Sequence, residues 1–365
     1  MKSHKKAPSL DEYVAEKDTV RFAENQELAR AARAARAVAA EQQAELAALK
    51  RRVGLYEKLD AARLEPPTWL APKMPSKGHA AIPCLVVTDW HWGEVVKPEQ
   101  VDGVNKYNVT IAEARMKRAF EGAVTITRDY LKGVNYEGFQ LFLGGDMISG
   151  DIHPELRETN EQTVAESIVA LVEPLEAGVN LLAREFGRIH ITAVPGNHPR
   201  NTKKPISKKR AADNFDTLAY RLLERDMRGR KDVTVQVSEA ADAQVTVYGT
   251  RYLLTHGDQF TGGSGISGAL APLLLGAHRK TRRQAAAGHP YDLLVMGHFH
   301  QSIFFPAKGI IVSGCGIGYN EWAYVSNFEP EPPQCAMWLT TAERGVTVSA
   351  PVFVADPVAE GWALG

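Results

Sequence analysis

The sequence predicts an α/β domain, and two observations predict it. From about residue 80, short apolar runs alternate with amphipathic stretches of helical period. Each apolar run has strand length and ends in Gly, Asp, Asn or Pro, the residues that turn a chain. "AIPCLVVTD" reads as a buried strand, "TIAEARMKRAFEGAVTITRDYL" as an amphipathic helix and "FQLFLGGD" as the next strand. "ETNEQTVAESIVALVEPLEAGVNLLAREFG" gives a long helix and "RIHITAVPGN" a third strand. After about residue 231 strands dominate: "DVTVQVS", then "AQVTVYGTRYLLTHG" as a hairpin across Tyr248-Gly249-Thr250, then "YDLLVMGHFH" and "GIIVSGCG". "QCAMWLTTAERGVTVSAPVFV" adds a final pair of strands.

Residues 1–64 differ in character. Ala, Glu, Arg, Lys and Leu, all good helix formers, dominate there. Leu28, Ala32, Ala35, Ala39, Gln42, Leu46, Leu49, Val53 and Tyr56 recur at alternating steps of four and three, the seam spacing of a coiled coil. Self-association into a homo-oligomer and docking of the stripe on its own domain both fit that pattern. Residues 65–78 carry four prolines and read as a linker, leaving 79–365 as the main domain.

Across 365 residues, 43 Lys and Arg balance 43 Asp and Glu, so no global field selects nucleic acid or membrane. A polyanionic partner would have to be met by a local patch. The three cysteines, Cys84, Cys315 and Cys335, are widely spaced, which excludes a thiolate zinc site and suits a reduced compartment. The basic N-terminus lacks the apolar segment of a signal peptide, and no run has the length of a membrane helix. The expectation is a cytoplasmic protein with no membrane partner.

Several strands stop alike, an apolar run giving way to a cluster of Asp, Asn, His and Gly. They are Asp89-Trp90-His91 after "LVVT", Gly145-Asp146 after "FLG" and Gly196-Asn197-His198 after "ITAVP". His256-Gly257-Asp258 follows "YLLT", and Gly297-His298-Phe299-His300 follows "LLVM". In an open α/β sheet, ligands bind where the carboxyl ends of strands converge, so separate segments can deliver these groups to one place. Each cluster alone is an ordinary turn; five of them, each on a strand terminus, are not an accident. Imidazole, carboxylate and amide oxygen without thiolate suit Mn²⁺, Fe or Zn²⁺.

In that order, D-x-H, G-D, G-N-H, H and G-H-x-H resemble the calcineurin-like metallophosphoesterases, over roughly residues 82 to 315. "GGDMISGDIHPELRETNE" and "GYNEWAYVSNFEPEPPQ" look, more narrowly, like stand-alone phosphoesterases of bacteriophages related to DNA-repair exonucleases. The resemblance implies two mixed β-sheets packed face to face and flanked by helices. It implies two divalent ions, Mn²⁺ foremost. One would be held by Asp89, His91, Asp146 and His300. The other would be held by Asp146, Asn197, His256 and His298, with Asp146 bridging. It further implies phosphoester hydrolysis by a hydroxide held between the ions, with His198 as general acid. Many relatives follow G-N-H with an acid; here Pro199 stands in that place, leaving Asp151 and His153 to support His198, to contact substrate, or to be a solvated loop.

The substrate is read from charge. "RNTKKPISKKR", residues 200–210, holds six cations and no acid, including Arg200, Lys203 and Lys204; "HRKTRR", 278–283, is a second cluster. Set beside a phosphoesterase centre, these favour a nucleic acid, DNA foremost, whose flanking phosphates they contact. Trp90 and Trp92 beside the ligands would stack a base or pack in the core. Gly263 to Gly268 matches G-x-G-x-x-G but lacks the β-α-β setting of a dinucleotide site and reads as a loop. The expected function is therefore a metal-dependent DNA nuclease. A phosphatase or small-molecule phosphodiesterase is the alternative on the same metals, and a silent scaffold the alternative outside enzymes.

Overall fold

The computed structural model describes residues 70, 80–260, 270–356 and 360. The heptad-patterned helix, most of the Pro-rich linker and the Gly-rich loop 262–268 lie outside the described residues. Strand β1 (Ala80–Val87) leads through a long loop to helix α1 (Val109–Thr125), which Asn108 caps by accepting the Ile111 N–H. Strands β2 (Asn135–Tyr136) and β3 (Phe139–Leu143) follow, then a short helix α2 (Pro154–Thr159) and the long helix α3 (Val164–Phe186). The start of α3 is a reciprocal capping box between Thr163 and Glu166, and Gly187 ends it in the left-handed conformation. Next come β4 (Ile189–Ala193), α4 (Phe215–Asp226) and β5 (Val233–Val237). Strands β6 (Asp242–Val247) and β7 (Thr250–Thr255) form the expected hairpin, turned by Tyr248 and Gly249, both at positive φ. Helix α5 (Leu270–Ala286), strands β8 (Leu293–Met296), β9 (Ile303–Phe305) and β10 (Ile310–Val312), and helix α6 (Glu321–Val325) follow, and the hairpin β11 (Gln334–Thr341) and β12 (Gly345–Phe353) comes last.

These strands make two mixed sheets flanked by helices. The first runs β12-β11-β1-β3-β4-β5, with β2 also paired to β1; β1, β3, β4 and β5 are parallel, while β11 and β12 join antiparallel. The second runs β6-β7-β8-β10-β9, its centre β7-β8-β10 parallel. Period-two alternation sorts the side chains into layers. Leu85 and Val87 of β1 face α1 and α3, whereas Ile82, Cys84 and Val86 face the second sheet. Trp338, Phe142, Tyr252 and Val295 fill the space between the sheets. The far face of the second sheet, with Leu253, Leu294 and Met296, is covered by Leu273 and Ala277 of α5. Buried on both faces, β1 and β8 read as continuous apolar runs, whereas β5 alternates buried and half-buried residues at the sheet edge.

Candidate metal centre

The carboxyl ends of β1, β3 and β4 in one sheet and of β7 and β8 in the other carry the five motifs, and the fold brings them together. Ligand-type atoms of Asp89, His91 and His300 lie within 4.8 Å of one another, as do those of His91, Asp146 and His198, and those of Asp146, His256 and His298. The ladder between β1 and β3 continues past the strands: His91 N–H donates to the Asp146 carbonyl at 3.0 Å and Trp92 N–H to that of Met147 at 2.9 Å. This extension fixes the Asp89 and Asp146 segments side by side.

Each carboxylate is held by one oxygen and leaves the other for the centre. Asp89 Oδ2 accepts from the Thr88 hydroxyl at 2.8 Å and the His298 N–H at 2.8 Å, while Oδ1 faces His300 Nε2 at 3.3 Å. Asp146 Oδ1 accepts the His198 N–H at 2.7 Å, and Oδ2 lies 3.0 Å from His256 Nε2. His256 in turn places Nδ1 at 2.9 Å from the Gly144 carbonyl, so Nδ1 donates there and Nε2 is turned toward Asp146. His91 Nδ1 lies 3.2 Å from Glu94 Oε2, whose other oxygen accepts from Asn320 at 3.1 Å.

Two features set this cluster apart from a polar core. His91 Nε2 and Asn197 Oδ1 are buried without a hydrogen-bond partner, and Asp89 Oδ1, His91 Nδ1 and His256 Nε2 are buried with only a histidine–carboxylate contact at 3.0–3.3 Å. Orphaned donors and acceptors at this density are costly, and a cation satisfies lone pairs where no proton donor does. Second, Asp89, His91, Asp146, His298 and His300 all hold positive φ, between 48° and 70°. Such backbone costs of order 1–3 kcal/mol per residue and persists where the surroundings over-determine it, which is the mark of functional sites. Glycines make room for the carboxylates. A Cβ at Gly196 would meet Asp146 Oδ1 at 2.0 Å, and one at Gly297 would meet Asp89 Oδ2 at 2.1 Å.

The electrostatics agree with an anionic pocket read by imidazoles. Burial pushes Asp89 up, but the His300 hydrogen bond and the charges of His256 and His300 outweigh it and hold it at about 2. Asp146 is likewise held well below the carboxylate range, burial being overcome by His256. Burial lowers His256, yet Asp146 wins and raises it to about 10. Burial and the neighbouring His91 hold His198 at about 4, and burial with His256 holds His298 at about 4. Among the described residues, the ion pairs of Asp89, Asp146 and Glu94 are with histidine alone. Carboxylate, imidazole and amide oxygen with unsatisfied lone pairs are the donor set of a divalent cation, so the residues fit the ions that the motifs imply.

Other expected site residues have mixed positions. The His198 ring meets His91 edge-on at 4.5 Å, and its Nδ1 lies 3.2 Å from the Ser149 carbonyl. The His198 ring thus meets a main-chain acceptor, and among the described residues neither Asp151 nor His153 hydrogen-bonds to it. Both of these are exposed, with the His153 ring 5.9 Å from that of His198. Trp92 does not stack a base: it is 2% exposed, and its indole N–H donates to Gln162. Trp90 is equally buried and donates to the Ala112 carbonyl. Arg200 is committed to its own loop, donating to the carbonyls of Asn197, Thr202 and Lys203. Arg210 forms a two-pronged pair with Asp258 at 2.7 and 2.8 Å. Between these anchors Lys203, Lys204, Lys208 and Lys209 are exposed. The second basic cluster is no open patch at its centre, because Lys280 is 5% exposed and donates to Asp242, Thr255 and Gln259, and Arg283 also pairs with Asp242.

Sequence reasoning passed over Glu94 and Asp216. Glu94 stands three residues beyond His91 and signals itself only as a buried acid in an apolar stretch. Asp216 stands near the start of α4, three residues after Asp213 and nineteen past Asn197, with nothing in its neighbours to mark it.

No family model matches the chain, and no curated protein matches it. Among solved structures it is similar to a conserved protein described as a predicted phosphoesterase from Streptococcus pneumoniae, at 12% identity over 74% of this chain and 97% of that one, with a TM-score of 0.25. It is similar also to a dimetal phosphatase from Danio rerio, at 10% identity over 75% and 99%, with a TM-score of 0.34. Likeness at this level carries no weight, and the site is read from its own geometry.

Proposed function

We propose that this protein is a metal-dependent phosphoric ester hydrolase of the calcineurin-like metallophosphoesterase superfamily, and that its substrate is a phosphodiester, DNA foremost. The observation that carries the reading is the meeting of five strand ends, from two sheets, in one buried cluster of carboxylates and imidazoles in which His91 Nε2 and Asn197 Oδ1 lack hydrogen-bond partners. Asp89, His91, Asp146 and His300 would hold one divalent ion, and Asp146, Asn197, His256 and His298 the other, with Mn²⁺ proposed ahead of Fe or Zn²⁺. When bound, such ions lower the pKa of water toward about 7 and neutralise charge on phosphoryl oxygens.

The chain's own groups supply the rest. His198 presents its free ring edge beside His91, oriented by the Ser149 carbonyl. A phosphoryl group docking beside the ring favours its protonated form, and in that state His198 carries a proton to the leaving oxygen. Lys203, Lys204, Lys208 and Lys209 offer flexible point charges to phosphates flanking the scissile bond, on a loop whose neck Arg200 and Arg210 fix. That lysine loop favours a polyanion over a small phosphate monoester.

Linear duplex DNA, a single-stranded oligonucleotide and a chromogenic phosphomonoester, each assayed with Mn²⁺ and with chelator, test the reading. DNA cleavage that the chelator abolishes is the expected result. Hydrolysis of the monoester alone would leave the phosphatase reading on the same centre and remove the nuclease.

A further inference from the structure

We propose that Asp216 is a positioning residue of the metal centre, setting the separation between the Asp146 and Asn197 loops; this rests on the two-metal reading above. Asp216 is fully buried at the start of α4. Its Oδ1 accepts the N–H of Met147, the residue after Asp146, at 3.1 Å. Its Oδ2 accepts the N–H of Gly196, the residue before Asn197, at 3.0 Å. The two oxygens of one rigid carboxylate therefore fix two ligand loops that meet nowhere in sequence.

Asn214 holds the same glycine through its other peptide. Its Nδ2 donates to the Gly196 carbonyl at 2.9 Å, and its Oδ1 accepts the Asp216 N–H at 2.9 Å. The third face of Gly196 abuts Asp146, where even a methyl group would clash. His198 N–H, two residues on, completes the bracket on Asp146 Oδ1. An error in the height of the Gly196 peptide thus passes directly to the bridging carboxylate and to the Asn197 amide. No cation pairs with Asp216 among the described residues, so its charge brings no ion-pair energy; what a carboxylate does here that an amide cannot is accept from two backbone N–H groups at once.

Asp216→Asn keeps the shape and loses one acceptor. Mn²⁺ titration of the full chain by calorimetry, with electron paramagnetic resonance of the loaded protein, reads the effect without reference to activity. The wild type is expected to bind two ions in an exchange-coupled pair. In D216N the affinity for one ion should fall about 10–100-fold, as for other outer-shell partners, while the other stays within about threefold and the coupling changes. A merely structural role would lower the melting temperature and leave the ratio of the two affinities alone. Unchanged affinities, or equal losses in both, overturn the proposal. Should D216N fail to fold, Asn214→Ser decides: it keeps an oxygen for the helix cap and removes the donor to Gly196. The same selective loss, smaller, supports the clamp, and an equal loss or none overturns it. A wild type that takes up none of Mn²⁺, Fe²⁺ and Zn²⁺ overturns the two-metal reading and the clamp with it.

Discussion

The two sheets contribute unlike halves to one centre. The first delivers Asp89, His91, Asp146, Asn197 and His198, and with them both carboxylates; the second delivers only imidazoles, from His256, His298 and His300. The sheets touch through an apolar layer packed around Trp338. Neither half makes a site alone. The acidic half carries the charge that would draw a cation, and the histidine half would complete its coordination; the histidines also hold Asp89 and Asp146 below the ordinary carboxylate range. The lesson is that sheet packing here is part of the chemistry: a slip between layers separates acid from imidazole.

Removing one member from each half breaks the comparison most sharply. Asp146 belongs to two of the three ligand clusters and His298 to one. Asp146→Ala should therefore lower phosphoester hydrolysis by roughly 10³-fold or more and abolish tight binding of both Mn²⁺ ions. His298→Ala should spare one ion in the same titration. Equal losses in the two variants would deny Asp146 its bridging position. The apolar layer comes next. Trp338 is 1% exposed between the sheets, and Trp338→Ala should cost about 3–5 kcal/mol in urea unfolding. A loss under about 1 kcal/mol would mean that the sheets hold together by other means.

The same layer contains a buried imidazole, and it predicts a pH dependence. His190 lies between the strands with Nδ1 at 2.9 Å from Gln140 Oε1, and burial holds it at about 4, below its ordinary 6.5. The fold keeps this ring neutral while the unfolded chain protonates it. Its contribution is therefore complete above pH 6.5 and is lost as pH falls from there through 4, a total of about 3 kcal/mol. His190→Gln should flatten that part of the acid limb when unfolding is measured with chelator at pH 7, 5.5 and 4.5. Parallel curves for the two proteins would refute it. The smallest effect belongs to the periphery. Changing Lys203, Lys204, Lys208 and Lys209 to Ser should leave monoester turnover within about twofold while weakening DNA binding and reducing its salt slope. An unchanged slope would free the loop from any part in substrate contact.

Much of this was legible because each expected ligand follows directly on an apolar strand, where a turn residue type doubles as a donor. Asp89, Asp146 and His256 are readable from their own neighbours. The residues that hold them are not. Thr88 and Ser149 act through a hydroxyl and a carbonyl that any loop contains, and Asp216 meets the centre only through the packing of α4. Helix α4 was not anticipated: Asn214 caps it by accepting the Asp216 N–H, and Ala219, Tyr220 and Leu223 line its buried face. Trp92 and Lys280 mislead for a related reason. Residue type carries no sign of burial, and a tryptophan beside a ligand or a lysine in a basic run looks the same whether it faces solvent or a partner.

The left-handed backbone at Asp89, His91, Asp146, His298 and His300 bears on how long the protein survives as well as on what it does. The strain those residues hold would be offset by any ion that binds the folded chain alone, and each tenfold rise in free ion above its dissociation constant would add about 1.4 kcal/mol per site. Under the proposed reading, folded stability would report metal supply: the same five residues that shape the candidate centre would make the population of native molecules rise and fall with the ion.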